Sequence, residues 1–146
     1  MARIEASVVI NRPIEEVFAY MIDFEKTDQW SAQVVETKKT SEGPVGVGTR
    51  FVAVARVLGR RIEDTVEVTE YEPNSKYSFK HAAGPISIEK DEFTFESVAG
   101  GIKVTHVFEM ETGGFFRLAE PLVARMIRRQ SETDFAALKD LLEAQA

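Results

Sequence analysis

Residues 115–146, FFRLAEPLVARMIRRQSETDFAALKDLLEAQA, decide the architecture. From Arg117 onward the stretch has no glycine, and its one proline, Pro121, lies near the start, where a helix tolerates it. Leu118, Leu122, Met126 and Ala119, Val123, Ile127, Leu138, Leu141, Leu142 recur at steps of three and four. That spacing predicts one helix with a broad apolar face. Arg125, Arg128, Arg129, Glu132, Lys139 and Glu143 fall on the opposite side, toward water. A helix of about 28 residues is roughly 42 Å long at 1.5 Å per residue. No other segment covers as much surface, so the rest of the chain is expected to be a sheet wrapped around this helix. Two polar residues, Gln130 and Asp134, interrupt the apolar face, pointing the same way as Ile127 and Leu141. Polar groups there need partners from protein, water or ligand.

Length and composition bound the alternatives. A chain of 146 residues is expected to form a single domain, 1–146, with a real core. It has no cysteine, which excludes a disulfide framework and any thiolate ligand or nucleophile. No apolar run approaches eighteen residues, and Met1–Ser7 already mixes charge with apolar groups, unlike a signal peptide. A cytoplasmic location is the default. The net charge of −6 argues against general nucleic-acid binding. Ten phenylalanines against three tyrosines and one tryptophan favour an apolar interior or pocket.

Working back to the start, Ile4, Ala6, Val8 and Ile10 alternate with Glu5, Ser7, Val9 and Asn11, as in a strand. Pro13 ends it, and Ile14, Val17, Phe18 and Met21 mark a short amphipathic helix. Asp23–Gln29 reads as a second short helical turn leading to Trp30, a packing anchor. Strands follow at Gln33–Thr40, Thr49–Leu58, Arg61–Tyr71, Lys76–His81, Ser87–Val98 and Ile102–Glu111. Between them lie a glycine-rich loop at Ser41–Gly48, a tight turn at Gly59-Arg60 and a turn at Glu72–Ser75. A loop at Ala82–Pro85, a hairpin at Ala99-Gly100-Gly101 and a break at Thr112–Gly114 complete the connections. Short connections between consecutive strands make an antiparallel meander, so the fold class is α+β.

A curved sheet that grips a helix without closing on it leaves a cavity. Its expected lining is Phe51, Tyr77, Phe79, Phe93, Phe95, Phe108, Met126 and Ile127. Asp64, His106, Gln130 and Asp134 would decorate it, which is the common form of a small-molecule site. Each residue has a plainer reading. The rings can simply fill the core, and a lone inward histidine can be a satisfied core residue. Gln130 and Asp134 can tie the helix to the sheet or to the first helices. The arginine cluster 125, 128, 129 reads first as a solvated face, with an acidic headgroup or partner as the alternative. The glycines at 43, 46 and 48 lack the Gly-Lys-Ser/Thr and the following helix of a phosphate loop. There is no Gly-x-Ser-x-Gly elbow and no His-Glu-x-x-His. The two histidines, His81 and His106, lie on different predicted strands and do not suffice for a metal site. An acid–base pair of His106 with Asp64 or Asp91 is a catalytic arrangement open to these residues, because a buried histidine can be tuned for proton transfer.

The opening strand followed by Asn11-Arg12-Pro13-Ile14-Glu15-Glu16-Val17-Phe18, then Asp23 and Trp30, resembles the START-related superfamily. That group is also called SRPBCC or polyketide cyclase/dehydrase-like, and includes the birch-pollen-allergen type. The glycines before Thr49, the Tyr71-Glu72-Pro73 turn, Gly100-Gly101 and the final Leu138-Lys139-x-x-Leu142-Glu143 also look like it. The resemblance implies a helix-grip fold: a seven-stranded antiparallel sheet around a long C-terminal helix, with two short helices after the first strand. It implies binding or transport of a small hydrophobic molecule, such as a lipid or polyketide, without a cofactor or metal. Cyclase or dehydratase chemistry and a protein-interaction role are the alternatives, and no catalytic residue carries over. The partner expected is a small hydrophobic ligand, with no nucleic acid and no stable membrane insertion; homodimer formation stays open.

Overall fold

The computed structural model describes residues 2–57, 59–82, 86–112 and 114–144. Seven strands run in the order β1 (Ala2–Ile10), β2 (Val34–Lys39), β3 (Arg50–Val57), β4 (Arg60–Glu72), β5 (Lys76–His81), β6 (Ile86–Val98) and β7 (Gly101–Thr112). They form one antiparallel sheet, β1-β7-β6-β5-β4-β3-β2. Helix α1 (Ile14–Ile22) and a 3₁₀ helix (Phe24–Gln29) follow β1, and helix α2 (Glu120–Glu143) ends the chain. This is the expected helix-grip arrangement. The loop expected at Ala82–Pro85, the break at Thr112–Gly114 and the last helical residues lie partly outside the described residues.

Three features differ from the sequence reading. The α-helix is 24 residues long rather than about 28, and a 3₁₀ segment, Gly114–Ala119, precedes it. Pro121 sits in the first helical turn, has no N–H to donate and restricts the residue before it. The β3–β4 turn comes one residue earlier than expected, because Val57 pairs with Arg60 and Gly59 adopts φ +77°. Third, Leu118, Leu122 and Met126 are not buried on the helix face but stand 92%, 62% and 49% exposed. The face that faces inward runs through Asp134, Phe135, Leu138 and Leu142.

A glycine fits the end of β1 against the start of β7. At Gly101 a Cβ would lie 2.2 Å from the Ile10 carbonyl oxygen, and φ is +143°. Only glycine admits that approach at that dihedral. Helix α2 lies along β1 and is pinned at its C-terminal end, where Lys139 Nζ donates to the Val9 carbonyl at 2.8 Å. Glu143 accepts the Asn11 N–H at 2.9 Å.

The core occupies the concave face. Val17, Phe18 and Met21 of α1 and Phe24 of the 3₁₀ helix pack against Val66, Val68, Tyr77, Phe95 and Val104 of the sheet. Phe18 stands edge-on to Phe95 at 5.0 Å, and Phe24 stacks on Phe51 at 4.8 Å. Such ring pairs add about 0.5–1.5 kcal/mol each beyond their area burial.

Candidate functional site

Four titratable side chains meet on the concave wall, contributed by four strands. His81 of β5 contacts Asp64 of β4 through Nδ1 at 2.5 Å and Asp91 of β6 through Nε2 at 2.7 Å. The other oxygen of Asp91 lies 2.6 Å from Nε2 of His106 on β7. The register explains the meeting. His81 lies opposite Val66 and His106 opposite Phe93, so Asp64 and Asp91 are their diagonal neighbours, two residues along. Diagonal neighbours on one face of a sheet are within reach of side chains this long.

Bulges set which residues share that face. Between Val68 and Glu70 the β4–β5 register shifts by one residue, and a similar shift occurs between Ile88 and Lys90 in β6. The first brings Tyr71 and Val68 to the same side and places Asp64 beside His81. The β5–β6 ladder has only three described pairs and ends at Ser78 and Glu92. Beyond that point the bond between His81 and Asp91 spans the two strands.

The four side chains are partly sunk: Asp91 is 10% exposed, His106 15%, His81 16% and Asp64 21%. Burial works against the charged form of His81, but carboxylates on both ring nitrogens outweigh it and push the imidazole up to about 9. Burial likewise raises Asp91, and its bonds to His106 and His81 overcome this, drawing the carboxyl down to about 2. At neutral pH His81 is therefore an imidazolium held between acids, with both N–H groups donating. Asp64 Oδ1 is buried and has no hydrogen-bond partner. Around this charge the wall is aromatic: Phe93 stacks on His106 at 4.1 Å and 8°, and Phe108 lies 5.9 Å from it.

Of the residues singled out in the sequence, Asp64, Asp91 and His106 come together here. His81 is the member that sequence reasoning set aside. Its place on one face with Tyr77 and Phe79, as one of only two histidines, was the available signal. Phe51, Tyr77, Phe93 and Phe95 are buried and Phe79 half-buried, all packed ring against ring. Phe18 and Phe24 reach into the space they enclose. Met126 is half-exposed and Ile127 half-buried on the N-terminal half of α2. Gln130 donates to Asp134 at 2.8 Å, and Asp134 accepts from Ser31 Oγ and the Ala32 N–H, each at 3.2 Å. That pair ties α2 to the turn before β2. Trp30 stacks on Phe135 at 6.3 Å, beside the same tie.

A cleft of about 300 Å³ opens elsewhere, between the first helices and the loop before β3, lined by Ala19, Ile22, Asp23, Phe24, Glu25, Lys39 and Val45. It does not reach the imidazoles. Among the described residues no group of three or more His, Asp or Glu side chains is arranged to hold a metal ion. No helix among them is long and apolar enough to cross a membrane.

Residues 1–143 match the family described as polyketide cyclase / dehydrase and lipid transport. The chain belongs to that family. Solved structures of the same fold include TTHA0849 from Thermus thermophilus, with a TM-score of 0.84 at 20% identity over 99% of both chains. The Zhui aromatase/cyclase from Streptomyces sp. R1128 gives 0.75 at 16% identity over 97% of this chain and 93% of its own. Ara h 8.0201 gives 0.74 at 17% identity over 98% of each. No curated protein matches the sequence. Within the polyketide cyclase/dehydrase family, then, this member sets a four-residue imidazole–carboxylate network into an aromatic concave wall.

Proposed function

We propose that this chain binds a small, largely apolar molecule bearing a hydroxyl or similar polar group, seated on the concave wall beside the Asp64–His81–Asp91–His106 network. The observation that carries the reading is that network itself, charged and only partly sunk, with Phe93 and Phe108 against it. Apolar ligand surface transferred from water contributes about 25 cal/mol per Å². Asp64, with 21% of its side chain exposed and Oδ1 without a partner, is the acceptor that a ligand hydroxyl would meet. Such an unpaired acceptor favours a ligand that donates over one that does not. The family description and the aromatase/cyclase neighbour support a ligand of this class.

Native mass spectrometry of protein purified without denaturant should show a co-purifying apolar compound. Displacement of an environment-sensitive dye should show 2-naphthol binding more tightly than naphthalene, with the preference lost in Asp64→Ala. Absence of both a retained compound and any displacement rejects the reading.

A second reading is favoured by one feature, the placement of His81 as a proton donor with His106 on the same acid. In it the chain dehydrates a β-hydroxyketone: the His81 Nδ1–H turns from Asp64 to the leaving hydroxyl and gives it a proton, and His106 takes one from the neighbouring carbon. Water and an enone result. Enone absorbance that disappears in His106→Ala, with ligand binding retained, supports this; a rate equal to that of buffer removes it.

A further inference from the structure

The outer side of the N-terminal half of α2 and the segment leading into it carry an apolar ridge open to solvent. Leu118, Leu122 and Met126 follow at four-residue steps, at 92%, 62% and 49% exposure. Arginines crowd around them: Arg117, Arg125, Arg128 and Arg129 are all exposed. On the helix circumference Arg125 lies about 60° from Leu122, and Arg129 about 20° from Leu122 and about 60° from Met126, from the 100° turn per residue. Among the described residues the one ion pair these arginines make is Arg128 with Glu132, at 3.4 Å. Between residues 117 and 129 the sole acid is Glu120, which is buried. The chain as a whole carries −6, so this segment opposes the charge of everything else.

We propose that this ridge docks on an anionic lipid bilayer. The pattern is that of an interfacial helix, with apolar side chains bordered by cations whose alkyl stems lie along the apolar layer while their guanidinium groups stay at the headgroups. A single line of three apolar side chains falls far short of the roughly 800 Å² per partner of a standard protein interface. It is also a convex ridge, which in a protein partner needs a matching groove. A bilayer needs neither area nor groove, because it deforms around what enters it. The topology adds a position. The described ends of β3, β5 and β7 and the starts of β4 and β6 lie at one end of the sheet, the end nearest this ridge and the His81 network, because the C-terminal end of α2 is held at Val9 and Asn11 at the other. Docking there sets that end of the molecule toward the lipid.

The test uses the intact chain and phosphatidylcholine vesicles with and without phosphatidylglycerol. Co-sedimentation is expected only with phosphatidylglycerol and should weaken in high salt. The pair Arg125→Glu with Arg129→Glu should lower partitioning at least about tenfold, since each basic residue at an anionic surface contributes roughly fivefold. The pair Leu122→Ser with Met126→Ser should lower it too. These four side chains face solvent, so circular dichroism and melting temperature should match the parent chain. Failure to bind phosphatidylglycerol vesicles overturns the proposal, and so does binding that both pairs leave intact. Self-association in sedimentation that Leu122→Ser with Met126→Ser abolishes, without vesicle binding, assigns the ridge to a second copy of the chain and equally overturns it.

Discussion

Replacing His81 by glutamine should remove a distinct alkaline limb from the stability of the protein. The imidazole sits between two carboxylates, and its pKa rises from 6.5 to about 9 on folding. A folded pKa above the unfolded one means stability that is complete below about pH 6.5 and is lost as pH rises through about 9. A shift of about 2.5 units corresponds to roughly 3 kcal/mol at 1.36 kcal/mol per unit. The lowered pKa of Asp91 is the other side of the same contact and is not added to it. Urea unfolding near pH 6 and near pH 9.5 should show the parent chain losing roughly 3 kcal/mol more than His81→Gln over that interval. Proton NMR reads the same quantity directly, because the chain has only two histidines and one substitution assigns both. Parallel stability profiles for parent and variant, or an imidazole at position 81 that titrates at or below about 6.5, would refute the electrostatic account of the cluster.

Three other outcomes follow from the packing and the charges. Gly101→Ala should destabilise the fold by more than about 2 kcal/mol in urea unfolding, since the new methyl meets the Ile10 carbonyl at a positive φ. Asp134→Ala should cost about 1–3 kcal/mol and lower the melting temperature, because the Ala32 N–H loses its acceptor and α2 its tie to the turn before β2. Acid unfolding should set in as pH falls below about 4 toward 2: Asp91 has a lowered folded pKa, so its stabilisation exists above the unfolded value and disappears on protonation. Asp91→Asn should flatten that acid limb in a circular dichroism titration.

The fold was legible because periodicity survives in the sequence. The three- and four-residue steps that run from Ala119 through Val123 and Ile127 to Leu138 and Leu142 reveal α2, and Ala99-Gly100-Gly101 reveals the last hairpin. The network was legible in part. Alternation put Asp91 with Phe93 and Phe95, and His106 with Val104 and Phe108. It could not bring Asp64 to His81, because one extra residue between Val68 and Glu70 reverses the facing of everything beyond it, and no residue type marks that insertion. The filling of the interior was hidden for another reason. Spacing along a strand carries no distance between layers, so nothing in the sequence shows how far Phe18 and Phe24 reach toward Phe95 and Phe51. The exposed ridge of Leu118, Leu122 and Met126 broke the pattern by sharing the helical step of the buried residues while lying about half a turn away from the face they define.

The early end of the β5–β6 ladder gives the sheet a hinge line. Past Ser78 and Glu92, among the described residues, the two strands are joined by one imidazole instead of a row of amides. The β1-β7-β6 leaf and the β5-β4-β3-β2 leaf can therefore change their mutual curvature at that end without breaking a main-chain ladder. Side-chain charge joins the two leaves at one end of the interior, and interlocked aromatic rings line the other.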